Sequence, residues 1–142
     1  MGVKEQSEDE KKKEYLNRYL HAKSGAEQIA RKIEELKLAK MNPSSYRIDG
    51  MPRGAGRGGD LSEYAERLDE LETRLLHQLN EKLCIYEEII DRLDSMKDET
   101  ESIVLRMRYI HGMKMSQIAG KLDYEERQVY RIYKKALKNF QI

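Results

Sequence analysis

The chain has no tryptophan, one phenylalanine, two prolines and one cysteine in 142 residues. A single Cys84 cannot close an internal disulfide, which points to a reducing compartment. No apolar run approaches the ~20 residues needed to span a bilayer, or the shorter core of a signal peptide. The chain is therefore expected in the cytoplasm, without membrane contact. With tryptophan absent and phenylalanine and proline scarce, Glu, Lys, Leu and Arg dominate as they do in long solvated helices, so little sheet is expected. Only 39% of residues are hydrophobic against 37% charged, so any core must be thin.

Catalytic chemistry has little to draw on. His21, His77 and His111 lie far apart on separate helical stretches, and no Cys/His spacing resembles a zinc site. No serine sits in a Gly-rich elbow. Acid pairs such as Glu87 with Glu88, or Asp69 with Glu70, read as solvated helix surface, because a working carboxylate pair needs burial or convergence. The expectation is a protein that is not an enzyme and holds no metal or cofactor.

Charge is present in quantity but unevenly placed. The net charge is +1 overall, yet residues 1–59 carry 13 Lys/Arg against 9 Asp/Glu, residues 60–101 carry 5 against 14, and residues 102–142 carry 9 against 3. A basic end on an acidic middle suggests a polyanion-binding module joined to a helix with another task.

Between Glu8 and Met41 apolar residues recur at helical spacing, with a weak point at Ser24 and Gly25 where a kink or break is expected. Residues 42–59, NPSSYRIDGMPRGAGRGG, hold both prolines and five glycines and read as a linker. Gly54, Gly56 and Gly59 satisfy GxGxxG, but no strand precedes them, so a solvated loop with Arg47, Arg53 and Arg57 is the simpler reading. Asp60 can cap a second helix running to about Ser95. Leu68, Leu71, Leu75, Leu79, Leu83, Tyr86, Ile90 and Leu93 follow one another at steps of three and four, giving a stripe that needs a partner. An antiparallel hairpin with the first helix is the simplest cover, and self-association through the same stripe is the competitor; both are expected to occur.

After residue 97 the pattern changes. Asp98, Glu99 and Glu101 mark a helix entrance before Ile103, Val104, Leu105, Met107 and Tyr109, and Gly112 ends that helix. Met115, Ile118, Ala119 and Leu122 line a two-turn helix, Asp123 tolerates a left-handed turn, and Val129, Ile132, Tyr133, Ala136, Leu137 and Phe140 line a last helix. Short helix, tight turn, long helix is the helix-turn-helix order. Away from that core the last helix projects Arg127, Gln128, Tyr130, Arg131, Lys134, Lys135 and Lys138, able to read base edges and hold phosphates. The fold expected is thus all-α: a long antiparallel, coiled-coil-like hairpin over 1–97, then a three-helix helix-turn-helix module over 98–142.

The stretch ESIVLRMRYIHGMKMSQIAGKLDYEERQVYRIYKKALKNF resembles region four of bacterial sigma factors, which reads the −35 promoter element. Within it, VYRIYKKALKNF is similar to the recognition helix. Glu125 stands where that helix usually has a Ser or Thr cap, and Asp123 replaces the turn glycine. Together with the long first helix, MPRGAGRGG and LSEYAERLDELE, the whole chain resembles the phage late-gene activators of the RinA and ArpU type. The resemblance implies control of transcription in contact with RNA polymerase; the basic face of the last helix adds double-stranded DNA as the partner, and the apolar stripe over residues 60–95 adds a homo-oligomer. Two alternatives of other classes stand beside it: a phage DNA-packaging recognition subunit, and a helical protein-binding scaffold whose acidic helix does the work.

Overall fold

A computed structural model of the chain describes residues 2–41 and 57–142, with side chains from 7–41 and 61–142. Five helices and no strand occur among them: α1 (Gly2–Met41), α2 (Arg57–Asp94), α3 (Glu99–Tyr109), α4 (Met115–Leu122) and α5 (Glu126–Asn139). The all-helical hairpin-plus-module architecture is as expected. The linker falls mostly outside the described residues, and α2 begins at Arg57 rather than Asp60. Early glycines are tolerable there, since the first four amides of a helix lack intrahelical acceptors anyway. α1 runs through Ser24 and Gly25 without a break. No helix among the described residues is long and apolar enough to cross a membrane.

The chain divides into two compact units, residues 1–22 with 81–142, and residues 23–80. The boundary expected at residues 97 and 98 lies inside the first of these. In the smaller unit α1 and α2 run antiparallel: Gly25 lies beside Gln78, and the Lys40 ammonium sits 4.2 Å from the Tyr64 ring centre. Among its described residues the buried apolar ones are Ala26, Ile33, Ala39 and Leu71, two of them alanine, which is the thin core that composition implies.

The larger unit holds the main core. The end of α2 supplies Ile85, Ile89 and Leu93, α1 supplies Leu16, α3 supplies Leu105 and Tyr109, and the end of α5 supplies Ala136 and Leu137, with Phe140 just beyond it. A second cluster, Val104, Met115, Ile118, Ala119 and Val129, fills the space between α3, α4 and α5. Tyr133 packs against both, so the two clusters meet at α5.

The stripe on α2 divides in two. In the smaller unit Leu71 is buried and Leu68 and Leu75 are partly so, but Leu79 is exposed, and Gln78 takes the inward place. In the larger unit Ile90 is partly buried and Leu93 fully, while Leu83 and Tyr86 are exposed and Ile85 and Ile89 are buried instead. The cause is geometric. A step of four residues advances about 40° beyond a full turn, so the run Leu71, Leu75, Leu79, Leu83 drifts off the seam, while alternating threes and fours stay on it.

Ile89→Ala should therefore cost about 2–5 kcal/mol in urea unfolding, and Leu83→Ala about 0.5 kcal/mol or less. Equal losses would mean that the inward face is misassigned.

Candidate nucleic-acid interface

The module is set by its caps and turns. Asp98 caps α3 by accepting the Glu101 amide at 3.1 Å. After α3, Gly112 takes φ +65. α4 opens where the Gln117 side chain accepts the Lys114 amide at 2.9 Å. It ends at Asp123, whose φ of 60 and ψ of 41 place it in the left-handed region, and the Tyr124 amide reaches back to the Ala119 carbonyl at 3.0 Å. That turn redirects the chain into α5. Buried Ala119 and Ile118 pack with Val129 beneath it, as a close helix crossing requires.

Burial of Val129, Ala136 and Leu137 fixes how α5 is rotated. On its other side Arg127, Gln128, Arg131, Lys134, Lys135 and Lys138 are all exposed, as is Tyr130 at 46%. The structure thus brings every candidate DNA-facing residue onto one open face of one helix. Tyr133 is half-buried, its hydroxyl bonded to that of Tyr109 and the two rings stacked. Burial, with the Tyr133 hydroxyl, pushes the Tyr109 phenol well above its ordinary value.

The two ends of α5 differ. At the amino end Glu125 is the cap residue, and its side chain makes no capping bond. At the carboxyl end the helix is held from several directions. The Lys12 ammonium donates to the carbonyls of Leu137 and Lys138 at 2.8 and 3.1 Å. This is a favourable place for a cation, at the negative end of the helix dipole. Asn139 donates to both oxygens of Glu101, at 2.7 and 3.1 Å, and Glu101 is 4% exposed. Arg92 donates through Nη1 to the Gln141 carbonyl and through Nε to the Tyr15 hydroxyl. Tyr15 in turn donates to Glu88 at 2.8 Å and lies against Phe140. Sequence reasoning missed Lys12, Arg92, Glu101 and Asn139. Lys12 and Leu137 stand 125 positions apart, and no local pattern connects them.

The described residues therefore form an all-helical protein ending in a helix-turn-helix module with a basic outer face. The chain belongs to the family described as protein of unknown function (DUF1492), whose model matches residues 61–141, from α2 to just beyond α5. No curated protein and no solved structure matches it.

Two outcomes test this anchorage. Asn139→Ala leaves the Glu101 carboxylate buried without its donor and should cost about 1–3 kcal/mol in chemical unfolding; an unchanged midpoint would mean that Glu101 finds another partner. The Tyr15 hydroxyl, with Arg18 nearby, holds the Glu88 carboxyl below its ordinary 4.5. A depressed carboxylate stabilises the fold above its unfolded pKa and loses that effect as pH falls through the folded one. The melting difference between wild type and Glu88→Gln should thus shrink on acidification below 4.5; a constant difference would show that the charge is not involved.

Proposed function

We propose that this protein is a DNA-binding transcription regulator of phage or prophage origin, working in the cytoplasm as an activator alongside RNA polymerase, with α5 lying in the major groove. The observation that carries the proposal is the exposed face of α5. Two guanidinium groups, an amide and three ammonium groups share it, on the second helix of a helix-turn-helix pair whose rotation is set by burial of Val129, Ala136 and Leu137. In such modules the early residues of the second helix meet base edges and later ones meet phosphates. Arg127, Gln128 and Arg131 are early, and Lys134, Lys135 and Lys138 are late. Resemblance of this module to sigma region four, and of the chain to RinA- and ArpU-type activators, supports promoter-proximal action. Self-association belongs to the same proposal, supported by the exposure of Leu83 and Tyr86 side by side on α2.

A second reading draws on Glu125 and Glu126, both exposed at the entrance of α5. Carboxylates there repel phosphate but suit a basic protein surface, so docking on a protein partner is the competitor. Glu125→Gln with Glu126→Gln separates the two, leaving or improving duplex binding in the first case and weakening a protein complex in the second.

Selection of duplexes from a random pool, followed by affinity measurement over a salt series, is the direct test. Log K should fall steeply with log[salt]. Arg131→Ala should cost about 1–3 kcal/mol on the selected duplex and much less on random DNA, while Lys135→Ala should weaken both equally and lower the salt slope by about one. A pool that yields no enriched sequence, with a flat salt dependence, would overturn the proposal.

A further inference from the structure

A polar cleft of about 600 Å³ opens beside the carboxyl-terminal turns of α5, bounded by the end of α2 and the turn leading into α3. Four cations, Arg92, Lys97, Lys135 and Lys138, line it together with two carboxylates, Asp98 and Glu101. Both carboxylates are engaged: Asp98 caps α3, and Glu101 accepts from Asn139 through both oxygens. Arg92 is engaged as well, by Tyr15 and the Gln141 carbonyl. The three lysines are not. The ion pairs among the described residues are Arg18 with Glu88 and Arg106 with Asp94, neither of which involves a lysine of the cleft.

Ammonium groups gathered around one concave surface raise the local positive potential and concentrate an anion there. The chemistry of that anion follows from where the cleft sits. Lys135 and Lys138 continue the exposed row that begins at Arg127 and Arg131, and α5, 14 residues long, extends about 21 Å at 1.5 Å per residue. A ligand meeting both ends must be long and regularly charged. Backbone phosphates, one per about 3.4 Å of duplex axis on each strand, satisfy this over roughly six nucleotides. Lysine, a compact point charge on a flexible stem, suits a phosphate oxygen that needs no two-point geometry.

We propose that Lys97, in the turn between hairpin and helical module, closes a phosphate clamp with Lys135 and Lys138 on the DNA backbone flanking the bases that α5 reads. The clamp rests on the DNA-binding proposal above and adds to it a contact from outside the helix-turn-helix. It also gives the cleft a purpose that the packing of α2 against α5 does not require, since Lys97 is exposed and joins neither apolar cluster.

The full-length protein, labelled for fluorescence anisotropy, is titrated with a selected duplex and with a random-sequence duplex over a salt series. Lys97→Ala should weaken both by about fivefold at physiological salt and lower the salt slope by about one, as loss of one phosphate contact demands. Lys97→Arg should restore both quantities. Lys32→Ala, an exposed lysine of the other unit, should change neither. Wild-type binding with unaltered slope and affinity in Lys97→Ala overturns the clamp and leaves the DNA proposal standing. A loss confined to the selected duplex overturns it too, since phosphate contacts do not depend on sequence. Absence of any duplex binding by the wild type overturns both.

Discussion

Burial of the carboxyl-terminal end of α5 is the contact on which the larger unit depends. Phe140, the only phenylalanine, is fully buried with Leu16 of α1, Ile89 and Leu93 of α2 and Leu105 of α3. Without that cluster, α3, α4 and α5 would share the buried Val104, Met115, Ile118, Ala119 and Val129, with partly buried side chains such as Leu122 and Ile132 around them. Five buried side chains are a meagre core for a three-helix module of this size. The hairpin end supplies the missing side.

Polar contacts follow the same division. At its carboxyl end α5 has its carbonyls met by Lys12, while Asn139 satisfies the buried Glu101 and Arg92 reaches the chain beyond the helix. Buried polar groups are costly unless bonded, so these contacts keep the anchored end stable. The outer face makes no comparable commitments: from Arg127 to Lys138 its cations are exposed. A helix held firmly at one end, with an uncommitted cationic face along its length, is a preorganised surface that loses little freedom on binding.

This arrangement also bears on how a ligand at α5 would be felt elsewhere. Of the residues that seat α5, Arg92 donates to the Tyr15 hydroxyl, and Tyr15 in turn donates to Glu88 on α2. Displacement of the α5 end must disturb this network or move with it. Close-packed interiors shift between discrete arrangements more readily than they deform.

Periodicity and composition alone determined that the chain is helical, where α3, α4 and α5 lie, and which face of α5 is apolar. These are local properties, since a helix of fixed pitch converts spacing directly into a face. Asp123 was legible for the same reason: its short side chain tolerates the left-handed turn that the redirection into α5 demands. Only the tertiary structure decided which apolar side of α2 turns inward. Leu79, Leu83 and Tyr86 continue the leucine steps as well as Ile85 and Ile89 do, and choosing between two adjacent stripes needs the partner helix. It alone also brought Lys12 to the end of α5, Asn139 to Glu101, and Lys97 into one cleft with Lys135 and Lys138. Those groups are distant in sequence, and polar contacts between distant segments have no period to betray them. They form where the packing of apolar faces leaves donors and acceptors within reach.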